Sequence, residues 1–277
     1  AGTGEVGAKV ELIFTATDPS AFVVSSTRHD YSVEVGTNGT WQINLEGALA
    51  EGVHAYTLSG TDAAGNTQTL TPASVTIDTV ASLNVVGLSD ATNSASLTDE
   101  ITNNTAPVIY GSSEPGAVIT LTLSHSNGVS TVVAAVVGGA GSWAADVSSL
   151  PVGDYTYTVK SVDVAGNETL VENQVLTIDR SNTFTGGLTQ DSTNDTGTSV
   201  DDGKTNNQSP EFSGTGETGA LITLTTTDVN ETISTYTTTV TDSTWSIQLP
   251  SATALLLPEG KVDYTINSVD IAGNAAP

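Results

Sequence analysis

Apolar and polar residues alternate with a period of two along most of this chain. The clearest case is DYTYTVKSVD at 154–163, where Tyr155, Tyr157, Val159 and Ser161 fall on one face and Thr156, Thr158, Lys160 and Val162 on the other. Such alternation predicts a half-buried β-strand. In the middle of the chain the same reading gives strands at PVIYGSSE (107–114), AVITLTLSHS (117–126), STVVAAVV (130–137), SWAADVSS (142–149) and TLVENQVLTID (169–179). Turn residues stand between them, at Pro115-Gly116 and in the GGAG of 138–141. Six or seven short strands in about 100 residues predict an all-β fold, an immunoglobulin-like sandwich. No stretch carries helical periodicity, although TALLLPEG (253–260) could hold one turn.

The pattern repeats. Trp41, Trp143 and Trp245 are evenly spaced, 102 residues apart. The pentapeptide Asp-x-Ala-Gly-Asn recurs as DAAGN at 62–66, DVAGN at 163–167 and DIAGN at 270–274. The last interval is longer because SATALLLPEG (251–260) replaces the shorter SSLPVG (148–153). GEVGAKVEL (4–12), SEPGAVITL (113–121) and GETGALITL (216–224) form another column, as do ITNNTAP (101–107) and KTNNQSP (204–210). A period near 100 residues is the size of an independent sandwich and too long for a solenoid unit. The expected organisation is three tandem domains: 1–79, lacking its N-terminal segment; 80–180, complete; and 181–277, lacking its last strand.

Composition narrows the chemistry. Six Lys and Arg against 31 Asp and Glu leave a formal charge of −25. No basic face for a phosphate backbone can be assembled from so few cations, so nucleic acid is not expected as a partner. With no Cys, disulfides, thiolate nucleophiles and Cys-based metal sites are absent. With no Met either, the expectation is a fragment or mature segment of a longer protein. No run of 18 apolar residues is present, so membrane insertion of this segment is not expected.

With these motifs in view, the chain resembles the bacterial Ig-like domains strung in tandem in giant non-fimbrial adhesins of Gram-negative bacteria. The resemblance rests on the Glu-x-Gly-Ala strand pair, the Gly-rich turn before Trp, the Gly-x-Tyr strand and Asp-x-Ala-Gly-Asn, and it covers essentially the whole chain. It implies type I secretion, an extracellular cell-surface location, a role in adhesion and virulence, and Ca²⁺ at or near domain junctions. The expected assembly is an elongated rod of monomeric chains. Host glycans or proteins are possible partners through the parent adhesin.

The acids are unevenly placed. Asp78, Asp90, Asp99, Glu100 and Glu114 crowd the first predicted junction with no Lys or Arg among them. Asp179, Asp191, Asp195, Asp201, Asp202, Glu211 and Glu217 crowd the second, against Arg180 and Lys204. The body of the middle repeat, 115–162, holds only Asp146 and Asp154. Crowded carboxylates repel, and a hard cation with six to eight oxygen ligands relieves that repulsion. If strands alternate in direction, Glu114 and Asp179 share one pole of the middle domain and Asp270 of the next domain faces them. The first junction would gather Glu5, Asp78 and Asp163 in the same way. The expected Ca²⁺ ligands are therefore Glu5, Asp62, Asp78, Asp90, Asp99, Glu114, Asp163, Asn167, Asp179, Asp191, Asp202, Glu217 and Asp270. The competing reading of Asp-x-Ala-Gly-Asn is a turn in which Asp and Asn merely cap backbone N–H groups and Gly takes positive φ. No strict Asp-x-Asp-x-Asp-Gly loop is present.

The Trp residues read as core anchors rather than sugar platforms, since each opens an alternating strand once per repeat. His29, His54 and His125 do not align between repeats and read as surface or loop residues. No Gly-x-Ser-x-Gly, phosphate-cradling loop or His-Glu-x-x-His is present, so catalysis is not expected. The expected role is a calcium-stiffened stalk segment of a surface adhesin. The alternatives are a glycan- or host-protein-binding module, or an accessory region of a secreted polysaccharide-degrading enzyme.

Overall fold

The computed structural model describes residues 1–15, 30–45, 48–70, 73–251 and 257–277. Two compact units divide it: residues 1–81 with 164–168, and residues 82–163 with 169–277. Among the described residues all regular structure is β, and no helix is long and apolar enough to cross a membrane.

The first unit contains β1 (Gly2–Thr3), β2 (Lys9–Thr15), β3 (Asp30–Glu34), β4 (Thr40–Trp41), β5 (Gly52–Thr61), β6 (Thr67–Thr69) and β7 (Ala73–Ile77). One sheet runs β3-β2-β5-β6 with β7 also on β5, and β1 pairs with β4. Its core is small: Ala8, Val10 and Val35, packed by Val33, Trp41, Ile43 and Leu58.

The second unit holds the third repeat and the second repeat apart from residues 164–168. The second repeat is built from β8 (Leu83–Leu88), β9 (Ile101–Thr102), β10 (Val108–Ser113), β11 (Val118–His125), β12 (Ser130–Ala134), β13 (Val136–Val137), β14 (Ser142–Asp146), β15 (Gly153–Val162) and β16 (Glu168–Ile178). Two sheets, β13-β14-β10-β8 and β12-β11-β15-β16-β9, enclose the core. The stretch 130–137 is not one strand: it breaks at Ala135 and passes from one sheet to the other, β12 pairing with β11 and β13 with β14. Such a switch closes the corner of a sandwich. Tyr155, Tyr157, Val159 and Ser161 are all buried, as the alternation predicts, against Ile109, Ile119, Leu121 and Leu123. Each fully buried Leu, Ile or Val contributes roughly 1.5–3 kcal/mol.

The third repeat follows the same plan with β17 (Phe184–Leu188), β18 (Glu211–Gly216), β19 (Leu221–Thr227), β20 (Ile233–Thr239), β21 (Thr244–Gln248), β22 (Asp263–Val269) and β23 (Ala275–Ala276). Its sheets are β17-β18-β21 and β20-β19-β22-β23. β8 and β17, which open the second and third repeats, are not among the strands that alternation picks out.

A glycine faces each Trp across the sheet: Gly2 opposite Trp41, Gly111 opposite Trp143, Gly214 opposite Trp245. Trp143 and Trp245 are buried in their cores and Trp41 is half-buried. The reading of His54 as a surface or loop residue is corrected. His54 sits at an inward position of β5, buried, with Nε2 2.7 Å from the Ala50 carbonyl oxygen. His125 ends β11 and packs edge-on to Tyr155. His29 and residues 253–256 of the expected helical turn lie outside the described residues.

Candidate metal centre

The three Asp-x-Ala-Gly-Asn segments each end a long strand and turn back tightly. In the first, the Asn66 N–H donates to Asp62 Oδ1 (2.8 Å) and its amide Nδ2 to Asp62 Oδ2 (2.7 Å). In the third, Asn274 repeats both bonds to Asp270, each at 2.8 Å. The Asp N–H in turn reaches the Asn carbonyl, closing the turn in both. The glycines take φ of 90°, 93° and 86°, a region that side chains resist. The bonds from Asn66 hold the Asp62 carboxyl below its ordinary value. The motif is thus a self-capped turn.

Its Asn does a second job. Asn274 Nδ2 also donates to the backbone carbonyl of Asp179 (3.1 Å), at the end of the preceding repeat. In the first unit Asn167 Nδ2 donates to the Asp78 carbonyl (3.0 Å). The turn of 270–274 is held further by Asn182, whose Nδ2 reaches the Asn274 carbonyl (2.9 Å) and Ser268 Oγ (3.1 Å). Ser94 Oγ donates to the Ala272 carbonyl (2.6 Å).

Three carboxylates converge on this linker. One oxygen each of Asp179, Glu217 and Asp270 lies within 4.8 Å of the other two, with Asp270 only 5% exposed. Glu217 Oε1 accepts from Thr183 N–H (2.8 Å) and Oγ1 (3.0 Å), and Asp179 Oδ1 from Ser181 N–H (3.1 Å). The neighbouring cation does not neutralise them: the Arg180 guanidinium donates to the Asn104 carbonyl, at 3.1 Å from Nη2. Two unit charges at such a separation repel by roughly 3 kcal/mol at an effective dielectric near 20. Carboxylate oxygens with nearby backbone carbonyls form a donor set suited to a hard divalent cation such as Ca²⁺.

The grouping expected from strand alternation is corrected. Glu114 follows β10, and its turn leads into Val118, which pairs with Val162. It therefore shares a pole with Asp163, while Asp179, one strand later, ends at the opposite pole. Glu217 is the acid that joins Asp179 and Asp270. Glu5 likewise precedes Lys9, which pairs with Thr61, so it lies by Asp62. Asp78 follows Ile77, which pairs with Gly52 at the other end of β5. Six strands alternate, so the first and fifth end together and the sixth ends opposite.

The remaining candidates stay outside the Asp179 group. Glu114 accepts from Ser82 N–H (2.7 Å), as Glu217 does from Thr183. Asp78 accepts from Val80 N–H (3.4 Å). Asp99 accepts from Ile101 N–H (3.2 Å) and Asp90 is exposed. Asp191 caps its own loop through the N–H groups of Thr193 and Asn194, which lower its pKa. Asp202 caps Lys204 and pairs with its ammonium at 3.3 Å. Sequence reasoning missed the tie made by Asn274, although the invariant fifth residue of the motif was the available signal.

Three solved structures of large adhesins are similar to the chain. It is 23% identical to a tetra-tandem repeat from the extending region of a large adhesion protein, with 99% of this chain and 66% of that one covered and a TM-score of 0.35. It is 20% identical to a structure concerned with host-cell surface retention of a 1.5-MDa bacterial ice-binding adhesin, covering 99% of this chain and 84% of that one, with a TM-score of 0.33. It is 22% identical to a Ca²⁺-stabilised adhesin of an Antarctic bacterium, covering all of this chain and 64% of that one, with a TM-score of 0.30. No curated protein matches the chain. The model of the bacterial Ig-like domain matches three times, at residues 8–79, 80–180 and 184–277, and the chain belongs to that family.

Proposed function

We propose that this segment is an extender of a bacterial surface adhesin, exported to the cell exterior, in which Ca²⁺ fixes each repeat to the next. The observation that carries the reading is the convergence of Asp179 from one repeat with Glu217 and Asp270 from the following one. These three residues would hold the ion. Bound there, Ca²⁺ would neutralise the crowded carboxylates and bridge the two repeats. The protein's own contribution is positional: Asn274 aims Asp270 and tethers the Asp179 backbone, and Thr183 orients Glu217. The similarity to the extending region of one large adhesion protein and to a Ca²⁺-stabilised adhesin supports the reading.

A cation that binds only the folded arrangement stabilises it by about 3 kcal/mol at a hundredfold excess over its Kd. Chelation is therefore expected to lower the melting temperature by about 5–10 °C. D179N/E217Q should abolish most of that response for the linker while leaving the Asp270 turn capped. Small-angle scattering gives the mechanical readout: the maximum dimension should be better defined with Ca²⁺ than with chelator. Identical scattering in the two conditions would sink the stiffening role.

A further inference from the structure

We propose that the third repeat carries a second, intradomain calcium site, formed by Asp195 and Asp201 in the cleft they line with Gly187 and Ser213. Asp195 is 2% exposed, and only one of its oxygens is partnered: Oδ2 accepts from Gly203 N–H at 3.0 Å. Oδ1 is fully enclosed and has no hydrogen-bond partner. A buried carboxylate oxygen without a donor is costly until a ligand supplies a proton or positive charge. Asp201, whose Oδ1 accepts from Ser199 Oγ, brings a second carboxylate to the same cleft, and Gln190 also lines it. The nearby ammonium of Lys204 pairs instead with Asp202.

The second repeat shows how the same place is otherwise filled. Ser94 Oγ accepts from Asn103 N–H, and Thr196 Oγ1 accepts from Asn206 N–H, so the two loops correspond and Asp195 stands where Asn93 does. The repeated Thr-Asn-Asn that follows each loop aligns Glu100 with Gly203, and both take left-handed φ, +57° and +69°. Glu100 folds its carboxylate over Gly87, leaving no room there for a Cβ, and Oε2 accepts from Leu88 N–H at 2.7 Å. Gly203 has no side chain to do this. The third repeat therefore keeps an open cleft at the corresponding Gly187 and lines it with carboxylates from Asp195 and Asp201. Two carboxylates match a hard cation that completes its shell with amide or backbone oxygens and water.

The site is independent of the linker, and the test keeps the two apart. Calcium is titrated calorimetrically into the full chain as wild type, D201N, D195N and D179N/E217Q. D201N and D195N should each bind one ion fewer than wild type, and D179N/E217Q should lose a different one, so that combining the sets subtracts both. Asp201 is exposed, so D201N tests the site even if D195N fails to fold. Terbium provides a local readout, since Tyr264 lines the cleft. In the D179N/E217Q background, aromatic-sensitised Tb³⁺ emission should fall at least fivefold on adding D201N. Wild-type stoichiometry in D201N, with unchanged emission, would overturn the proposal and leave a cleft that holds water only. Loss in D201N with none in D179N/E217Q would support this site and remove the linker one.

Discussion

The second and third repeats share a plan but differ in how they close the pole that their acidic loops cross. In the second, Glu100 accepts a left-handed backbone so that its own carboxylate can cap Leu88. In the third, Gly203 adopts that backbone without strain and the carboxylates come from Asp195 and Asp201. Both solutions put negative charge at the same point of the sandwich. The backbone geometry is retained, and what changes is whether the charge is supplied by one residue in a strained left-handed backbone or by two residues of the loop. A second difference lies at the sheet centre. Trp245 Nε1 donates to the Thr185 carbonyl (3.0 Å), whereas Trp143 Nε1 is enclosed with no partner.

The largest expected effect tests what the repeats have in common. A Cβ on Gly111 would overlap the Asn84 carbonyl oxygen and lie 2.5 Å from Trp143 Cζ2, and one on Gly214 would overlap the Thr185 carbonyl oxygen. Backbone atoms cannot yield as a side chain does. G111A and G214A should each destabilise their own repeat by about 3 kcal/mol, near the upper end for overpacking. Hydrogen exchange resolved by repeat is the measurement, because a chain of several repeats need not melt in one step. Protection that stays within a factor of two of wild type in both variants would show that the sheets can part at this point.

A smaller effect separates the two repeats. Trp→Phe removes similar volume at both sites, but only at 245 does it break a hydrogen bond. W245F should therefore cost its repeat about 1 kcal/mol more than W143F costs its own. That is roughly a fivefold difference in exchange protection at equal temperature. Equal losses would mean that the Trp245 N–H bond contributes nothing net.

The fold was legible where periodicity is strict. Tyr155, Tyr157, Val159 and Ser161 are buried as the alternation demands, and the fixed Trp spacing marks the three cores. β8 and β17 were not legible, because LNVVGL and FTGGL are short, Gly-containing strands at the sheet edge whose partners lie some 20 to 30 residues away. The candidate site was legible in its residue types but not in its grouping. Which acid meets which depends on the parity of strand reversals, and that parity puts Glu217, not Glu114, with Asp179. Within the acidic loops, composition could not tell a capping Asp191 from a buried Asp195. The difference is set by hydrogen bonds to Thr193, Asn194 and Gly203 that only the folded loop displays.

The smallest effect sharpens the comparison at Glu100. Burial raises its pKa, opposed by the bond from Leu88 N–H and helped by repulsion from Asp99. A carboxyl whose pKa is raised on folding favours the native state most below its unfolded value of about 4.5, and that contribution is lost as pH rises through the folded value. E100Q has no such titration. Its melting temperature relative to wild type should therefore climb between pH 4 and pH 7, by less than about 3 °C, and then level off. In the third repeat G203A removes no ionisable group, so its difference from wild type should stay flat over the same range. A flat profile for E100Q would mean that the Leu88 N–H stabilises the charged carboxylate enough to cancel the cost of burying it. The self-capped second repeat would then carry no electrostatic penalty that the third repeat avoids.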